Sequence, residues 1–230
     1  MLSGAELERY DRQIMLIGEE GQEKLKAATV AIAGVGGLGS PVAYYLTAAG
    51  IGRIILIDPE KPELSNLNRQ ILHWEEDLGK KAKSESAAWK LKRFNSNVEV
   101  IARAERLTAE NVGRVVGDAD VVVDCLDNFE TRFLLDDFTA ERGIPLVHGA
   151  VEGTYGQVTT IFPGKTRRLR EIFKNVRKRG KFPIIGATAG VVGSIQAMEV
   201  IKLLTGIGEP LLNRLLIVDL AHNGFEVVEL

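Results

Sequence analysis

Short apolar runs alternate with helix-length segments through the first two thirds of the chain. The runs are rich in Val, Ile and Ala, which is typical of strands buried on both faces of a sheet. The expected strands are 29–33, 53–58, 98–103, 119–125 and 144–148, and the expected helices are 39–49, 83–94, 108–116 (capped by Thr108) and 128–141. Repeated strand–helix units predict an α/β fold with a doubly wound, mainly parallel, Rossmann-like sheet.

The pattern changes after Gly149. Residues 157–162 are expected to form a longer strand, and 186–204 a second apolar helix that is rich in Gly and Ala. Residues 215–220 and 224–230 are expected to pair as antiparallel strands around an Ala-His-Asn-Gly turn. The chain is therefore expected to be a single domain, 1–230, whose sheet ends in an antiparallel C-terminal extension.

Composition and charge narrow the class of protein. The 230 residues are 45% hydrophobic and 26% charged with a net charge of −2, which is normal for a folded soluble protein and gives no global attraction to nucleic acid or membrane. The single cysteine excludes an intramolecular disulfide and fits a reducing, cytoplasmic location. The uncharged stretch 27–52 could span a bilayer by length, but its six glycines and Pro41 favour a buried strand, turn and helix.

One segment, 165–181, departs from this charge balance. It holds nine basic residues and one acidic residue. Leu169, Ile172, Phe173 and Val176 follow a helical spacing, so a short helix with one apolar stripe is expected. Two interpretations remain open: a solvated segment that docks through this stripe, or a docking surface for an acidic protein or RNA.

A glycine-rich motif, Gly34-Val-Gly36-Gly37-Leu-Gly39, follows the first strand and opens a helix. Such a turn lets phosphates approach free backbone N–H groups at the positive end of a helix. Asp58 ends the second strand, where a carboxylate can accept hydrogen bonds from ribose hydroxyls. A bound nucleotide is therefore expected, although the motif alone does not choose between NAD, FAD and ATP.

A second group of polar residues favours ATP chemistry over hydride transfer. Because parallel strands place ligands at their carboxyl ends, these residues are expected to converge on one phosphate chain. Arg69 and Lys83 would neutralise phosphate charge, and Asp127 would bind Mg²⁺, which prefers carboxylate and phosphate oxygens. The group comprises Asn66, Arg69, Gln70, Lys83, Asp127, Asn128 and Arg132.

These motifs resemble those of the ThiF/MoeB/HesA family of ubiquitin-activating-enzyme-like adenylyltransferases, and the resemblance covers nearly the whole chain. The residues that carry it are Arg9-Tyr10-Asp11-Arg12-Gln13, the glycine motif with Asp58, Ser65-Asn66-Leu67-Asn68-Arg69-Gln70, Asp124-Cys125-Leu126-Asp127-Asn128 with Arg132, and Gly193-Ser194-Ile195-Gln196-Ala197-Met198-Glu199. The glycine motif is shared with many Rossmann proteins. The motif that ends in Arg69-Gln70 and the motif that ends in Asp127-Asn128 are far more specific when they occur together at this spacing.

The resemblance implies a reaction. The family binds ATP·Mg²⁺ and activates the C-terminal Gly-Gly tail of a small ubiquitin-like or sulfur-carrier protein as an acyl-adenylate. It implies that residues 27–150 bind the nucleotide, and that 151–230 provide antiparallel strands, a crossover loop and the partner-binding part. It further implies a catalytic role for Arg12, Arg69, Lys83 and Asp127, with Arg12 reaching the ATP of the other subunit in a homodimer. A surface salt bridge to Asp11 is the alternative for Arg12, and a local capping role the alternative for Arg132.

The chain departs from the family pattern in two ways. Related chains often have G-x-x-K before the helix, whereas here Lys80, Lys81 and Ala82 separate Gly79 from Lys83, so Lys80 or Lys81 could serve instead. Many members also carry two CxxC pairs for zinc and a reactive crossover-loop cysteine, and this chain has neither. No structural zinc is therefore expected, Cys125 is expected to be a core residue, and the reaction is expected to stop at the adenylate.

Three other functions remain open. Some relatives activate a small carboxylate on tRNA, in which case the basic segment would hold RNA. An NAD-dependent oxidoreductase would share the glycine motif and Asp58 but leave Arg69, Lys83 and Asp127 unexplained. A scaffold would bind nucleotide without turnover. The carrier protein and the pathway, whether molybdenum cofactor, thiamine, tRNA thiolation or protein modification, are left undetermined by the sequence.

Overall fold

The computed structural model describes residues 1–174, 176, 180 and 182–230. The strands are β1 (Thr29–Ala33), β2 (Arg53–Ile57), β3 (Glu99–Arg103), β4 (Val121–Asp124), β5 (Leu146–Glu152), β6 (Tyr155–Ile161), β7 (Arg214–Asp219) and β8 (Gly224–Glu229). The α-helices are α1 (Gly4–Arg9), α2 (Asp11–Ala27), α3 (Gly39–Ala49), α4 (Lys83–Phe94), α5 (Val112–Val116), α6 (Phe129–Arg142), α7 (Leu169–Ile172) and α8 (Gly186–Thr205).

The strands form one mixed sheet in the order β3-β2-β1-β4-β5-β6-β7-β8. The neighbouring strands among the first five are parallel to each other. From β5 onward, each strand pairs antiparallel with the next strand in the chain, up to β8. The predicted fold class is therefore confirmed. The order of the strands reverses between β1 and β4, which is where open α/β sheets bind their ligands.

The central parallel strands β1, β2 and β4 are almost completely buried on both faces, as the apolar runs predicted. In β1, Val30 and Ile32 pack in one core with α3, α4 and α8, whereas Ala31 and Ala33 pack in a second core with α5 and α6. All five residues of β1 are buried. Alternate residues of one strand therefore supply two separate cores, which fixes the register of the sheet.

The uncharged stretch 27–52 is the buried β1, turn and α3 that the sequence predicted. The helix α8 is long and apolar enough to cross a membrane by length and composition. In the fold, however, α8 packs against α3 and the sheet, and Val192, Ala197 and Val200 lie in the first core. A Cβ on Gly193 would lie 2.5 Å from Cγ of Pro41, so the glycine permits close packing of α8 on α3.

The sequence-based expectation was wrong for α5. The helix begins at Val112 and not at Thr108, and its N-cap residue is Asn111. Oδ1 of Asn111 accepts a hydrogen bond of 2.8 Å from the backbone N–H of Thr108, which holds residues 108–111 in a turn. A short polar side chain thus competes with the first helical turn, as Asn commonly does.

In the basic segment, the only helix among the described residues is α7, four residues long. Residues 175, 177–179 and 181, and with them part of the helix predicted within 165–181, lie outside the described residues. The apolar stripe does dock, because Leu169 is buried and Ile172 and Phe173 pack against the second core.

Candidate functional site

A glycine turn connects the end of β1 to the start of α3. Gly34 has a φ of +89°, and a Cβ on it would lie 2.6 Å from the carbonyl oxygen of Cys125. A Cβ on Gly39 would lie 1.9 Å from the carbonyl oxygen of Gly34. Neither position accepts a side chain without movement of the backbone. This is the tight turn and the close helix packing that the motif predicts.

The segment that ends in Arg69 and Gln70 lies against this turn. A Cβ on Gly36 would lie 3.5 Å from Nε2 of Gln70, and a Cβ on Gly37 would lie 3.6 Å from Cγ of Arg69 and 3.3 Å from Cβ of Ala189 on α8. Gln70 is buried, and its Oε1 has no hydrogen-bond partner among the described residues. Two motifs separated in the sequence are therefore brought together at the carboxyl end of the parallel strands.

Asp58 connects the glycine turn to the end of β2. Its Oδ2 accepts a hydrogen bond of 2.9 Å from the N–H of Val35, and its Oδ1 accepts one of 2.9 Å from the N–H of Glu60. Burial raises the pKa of this carboxyl, although both hydrogen bonds favour the charged form. Each carboxylate oxygen retains a lone pair for a further donor. Asp58 thus holds the turn in place, a role that its position in the sequence did not reveal.

Lys83 lies at the start of α4 and is almost completely buried. Its Nζ lies 2.8 Å from Oε2 of Glu60, and its charge acts on Asp58. Lys80 and Lys81 are exposed by contrast. Of the three lysines that the sequence offered, Lys83 is the one that the fold buries beside Asp58.

Asn66 and Arg69 have local hydrogen bonds. Nη1 of Arg69 donates to the carbonyl oxygen of Ser65 and to Oδ1 of Asn68, both at 2.9 Å. Oδ1 of Asn66 accepts a hydrogen bond of 3.0 Å from the N–H of Glu63. The guanidinium of Arg69 is thus held by one backbone and one side-chain oxygen, and a stronger acceptor such as phosphate could replace the latter.

Asp127 and Asn128 follow β4 and are exposed. Nδ2 of Asn128 lies 3.3 Å from Oδ1 of Asp127, and Oδ1 of Asn128 caps α6 by accepting a hydrogen bond of 2.9 Å from the N–H of Thr131. Among the described residues, no group of three His, Cys, Asp or Glu side chains could hold a metal ion. A single exposed carboxylate does fit Mg²⁺, which commonly takes one or two carboxylates and completes its shell with phosphate oxygens and water.

In the segment Tyr10–Gln13, Tyr10 and Gln13 anchor the chain to the fold, whereas Arg12 faces outward. The hydroxyl of buried Tyr10 accepts a hydrogen bond of 2.9 Å from Nδ2 of Asn95, and Nε2 of Gln13 donates to the carbonyl oxygen of Ala49 at 2.8 Å. Arg12 is exposed and forms no ion pair or hydrogen bond within the part of the chain that the structure describes. The salt bridge to Asp11 that the sequence left open is therefore not formed.

Comparison with known proteins assigns the family. The ThiF family model matches residues 10–230. The chain belongs to the ThiF family. It is 42% identical to the SAMP-activating enzyme E1 of Haloferax volcanii over 99% of this chain and 86% of that one. It is 41% identical to the sulfur carrier protein adenylyltransferase of Thermus thermophilus over 96% of this chain and 86% of that one.

The fold is also similar to that of solved structures. The crystal structure of E. coli MccB with ATP has a TM-score of 0.85 and 27% sequence identity, and the match covers 96% of this chain and 71% of that one.

The segment after β6 docks on α6 through ion pairs. Nη2 of Arg168 lies 3.1 Å from Oδ2 of Asp136 and 2.6 Å from Oδ1 of Asp137, and Nη2 of Arg170 lies 3.1 Å from Oδ2 of Asp137. Asp136 is fully buried, and burial raises its pKa while Arg168 opposes that shift. Two of the basic residues are therefore already paired within the chain. Arg177 and Arg179 lie outside the described residues, and binding of RNA or an acidic protein to 165–181 stays a prediction.

Cys125 is buried at the end of β4. Its Sγ lies 3.8 Å from Oε1 of Gln196, and Gly39 approaches its Cβ. Burial raises the pKa of this thiol well above its usual value. A buried, protonated thiol is a poor nucleophile, in keeping with the expected role as a core residue.

Arg132 is buried, and its guanidinium faces backbone oxygens and a carboxylate of this chain. Nη2 donates to the carbonyl oxygens of Leu126 and Gly149, the latter at 3.2 Å, and Nε lies 3.4 Å from Oδ2 of Asp124. These contacts fit the local role that the sequence left open. The predicted contact between Arg132 and nucleotide remains untested.

Two buried histidines lie next to the site, and the sequence pattern had assigned no functional role to either of them. Nε2 of His73 lies 2.8 Å from the carbonyl oxygen of Val35 in the glycine turn, and burial lowers the pKa of His73 to about 4. Nδ1 of His148 lies 2.7 Å from Oδ2 of Asp124. A polar residue within an otherwise apolar run, such as His148 in β5, was the available signal.

Proposed function

We propose that this chain is an ATP-dependent adenylyltransferase that activates the C-terminal glycine of a small ubiquitin-like or sulfur-carrier protein as an acyl-adenylate. The observation that carries the proposal is the placement of Arg69 and Gln70 directly against the glycine turn, with buried Lys83 beside Asp58. A dinucleotide site for hydride transfer does not need two cationic side chains such as Arg69 and Lys83 near the phosphates. The names of the relatives, a SAMP-activating enzyme and a sulfur carrier protein adenylyltransferase, support the same chemistry.

The nucleotide would lie along the carboxyl ends of β1, β2 and β4. Its phosphates would face the backbone N–H groups of the glycine turn, and its ribose would face Asp58. The side chains assigned to the phosphates are Asn66, Arg69, Gln70, Lys83 and Asn128. Lys83 would exchange its partner Glu60 for a phosphate oxygen, which is a favourable exchange because phosphate carries more charge.

Asp127 would hold Mg²⁺, with phosphate oxygens and water as the other ligands. The ion would supply neutralisation of phosphate charge. The exposure of Asp127 beyond β4 leaves its carboxylate accessible for this role.

In the reaction, an oxygen of the carrier's terminal carboxylate attacks the α-phosphorus, and the bond from that phosphorus to the bridging oxygen breaks. Pyrophosphate leaves with the electron pair of that bond, and AMP becomes joined to the carrier as a mixed anhydride. The carboxylate is ionised at neutral pH, so the site needs no general base. Arg69 and Lys83 contribute by orienting the phosphates and by stabilising the charge that develops on pyrophosphate.

We propose a homodimer in which Arg12 completes the site of the partner subunit. Arg12 lacks a partner within the described part of its own chain, and Met15 and Leu16 on the same helix are 71% and 70% exposed. Apolar side chains exposed beside an unpartnered cation are typical of an interface. The Met15→Glu variant should sediment as a monomer, and its rate of pyrophosphate exchange should be reduced. A variant that still sediments as a dimer would count against this arrangement.

We also propose that the reaction stops at the adenylate and that the chain works in the cytoplasm. Cys125 is the only thiol, and it is buried with a raised pKa. A sulfur or amine acceptor would therefore come from another protein.

The direct test is exchange of labelled pyrophosphate into ATP in the presence of Mg²⁺ and a small ubiquitin-like protein that ends in Gly-Gly. Exchange should require the carrier, and a carrier that lacks its last glycine is the matched control. Absence of exchange with carriers that bind the enzyme, in a protein that binds ATP, would refute the activity. Calorimetric titration with ATP·Mg²⁺ and with NAD separates adenylation from hydride transfer. An adenylyltransferase should bind ATP·Mg²⁺ and should not bind NAD.

A further inference from the structure

A buried pair of side chains, Asp124 and His148, has no part in the reaction proposed above, and Asp124 comes three residues before Asp127, the proposed ligand of Mg²⁺. Asp124 is the last residue of β4, and His148 is its neighbour on β5 in the register of the parallel pair. Both side chains are completely buried, and Nδ1 of His148 lies 2.7 Å from Oδ2 of Asp124. A carboxylate in such a position is costly unless several donors compensate it.

The contacts of His148 fix its ring. A carboxylate oxygen can only accept a hydrogen bond, so Nδ1–H of His148 donates to Asp124, and burial lowers the pKa of His148, which favours the neutral ring. Its Nε2 lies 3.3 Å from Nε2 of Gln157 on β6, so the amide of Gln157 donates to the unprotonated nitrogen. One tautomer satisfies both contacts, which orients Asp124 from the interior of the sheet.

Asp124 and Arg132 together bind both backbone polar groups of Leu126, its N–H and its carbonyl oxygen. Oδ1 of Asp124 accepts a hydrogen bond of 3.0 Å from the N–H of Leu126, and Nη2 of Arg132 donates to its carbonyl oxygen. Arg132 also lies 3.4 Å from the carboxylate of Asp124. The next residue in the chain is Asp127. Its backbone is therefore held by a buried network that extends from β4 to β6.

We propose that Asp124, His148 and Arg132 form a positioning cluster that orients Asp127 toward the metal ion and the phosphates. The inference rests on the proposed function and deepens it, because it assigns to His148 an effect on metal binding that acts through Asp124. Arg132 then acts through the Leu126 peptide and does not bind nucleotide. Residues that orient a metal ligand in this way commonly affect metal affinity when they are replaced.

The test compares two substitutions at His148 with a matched control. His148→Asn places an amide nitrogen near the position of Nδ1 and retains the donor, whereas His148→Leu removes it. The control is His222→Leu, which removes another His–Asp pair of 2.8 Å, between His222 and Asp219, in the exposed turn between β7 and β8. Binding of Mn²⁺ with a non-hydrolysable ATP analogue is measured by electron paramagnetic resonance, and affinity for the analogue alone is measured in EDTA.

We expect His148→Leu to weaken Mn²⁺ binding about 10-fold or more, with the affinity in EDTA changed less than about 2-fold. His148→Asn should remain within about 3-fold of the unmodified chain, and His222→Leu should equal it. Equal Mn²⁺ binding by His148→Leu and the unmodified chain would overturn the inference. So would equal losses in both His148 variants, or a parallel loss of affinity in EDTA, because these indicate a merely structural role.

The inference and the proposed function fail in different ways. An unmodified chain that binds the analogue in EDTA but no Mn²⁺ would overturn the metal role of Asp127 and this inference together. Normal Mn²⁺ binding by both the unmodified chain and His148→Leu would overturn this inference alone. If His148→Leu does not fold, Arg132→Lys replaces it. One ammonium group cannot reproduce the planar guanidinium that contacts Leu126, Gly149 and Asp124, so about 10-fold weaker Mn²⁺ binding is expected, and unchanged binding would overturn the inference.

Discussion

Nζ of Lys83 lies 2.8 Å from Oε2 of Glu60, and the lysine is 5% exposed whereas the glutamate side chain is 62% exposed. The pair is thus a buried cation held by a carboxylate at the surface. A phosphate that enters beside Asp58 can take the place of that carboxylate while the lysine stays where the fold has put it.

This pair gives a first prediction. Lys83→Met keeps most of the aliphatic stem and removes the charge, so it should lower the rate of pyrophosphate exchange by about 100-fold or more, as the loss of one transition-state donor commonly does. Lys80→Met and Lys81→Met are the matched controls, since both side chains are exposed, and each should stay within about 3-fold. A larger loss in either control than in Lys83→Met would assign the phosphate contact to that lysine.

A second prediction separates the glycines that shape the turn from the one that faces phosphate. Gly39→Ala places a Cβ 1.9 Å from a backbone oxygen and should cost roughly 1–3 kcal/mol of stability or more. A Cβ at Gly36 would contact the side-chain amide of Gln70, with Nε2 at 3.5 Å and Cδ at 3.8 Å, which are ordinary distances, so Gly36→Ala should fold normally. It should nevertheless bind ATP poorly, because the methyl group would lie where the proposed function places the phosphates. Urea unfolding and ATP titration measure the two effects, and normal ATP affinity in folded Gly36→Ala would contradict the assignment.

A third prediction concerns the dependence of stability on pH. The folded-state pKa of His73 is about 4 and its ordinary value is 6.5, so the unfolded chain binds more protons between these values. The contribution of neutral His73 is therefore fully present above pH 6.5 and is lost as the pH falls toward 4. His73→Gln retains an N–H for the carbonyl oxygen of Val35 and does not titrate.

Urea unfolding at pH 7 and pH 5 tests this directly. The unmodified chain should lose roughly 1–2 kcal/mol more stability between the two pH values than His73→Gln does. Buried His148 is present in both proteins, so its own titration cancels in the difference. Equal losses in the two proteins would show that His73 does not contribute.

A fourth prediction concerns the ion pairs that dock the segment after β6. Arg168→Ala leaves Asp136 buried without its partner and should cost roughly 2 kcal/mol, less than for a fully buried pair because Arg168 is 37% exposed. Arg170→Ala breaks a pair between exposed groups and should cost less than about 1 kcal/mol. Equal effects of the two changes on the urea midpoint would mean that the burial of Asp136 is not decisive.

The sequence predicted the central parallel strands well because they are buried on both faces. A run such as Val121–Asp124 has no other favourable place in a soluble fold, and the glycine turn has the same strong local signal. The end of β5 was less predictable, because residues beyond His148 alternate weakly and are held by pairing with β6 along its whole length. Tertiary pairing, and not local preference, sets that boundary.

The sequence proposed residues for the candidate site, but it did not indicate their contacts. Asn66, Arg69, Lys83 and Asp127 have side chains suited to phosphate or metal, so residue type and position were enough to propose them. The pairing of Lys83 with Glu60, and of Asp124 with His148, depends on which strands and loops become neighbours. A sequence pattern does not contain that information, because each pair spans more than twenty residues.

The strand β5 is hydrogen-bonded on one side to parallel β4 and on the other to antiparallel β6. Residues 27–150 and 151–230 consequently contribute to one continuous sheet, because backbone hydrogen bonds cross from β4 through β5 to β6. A hinge motion between these two parts would have to break that sheet, so under the proposed function we expect a carrier tail to be captured by local movement of surface segments.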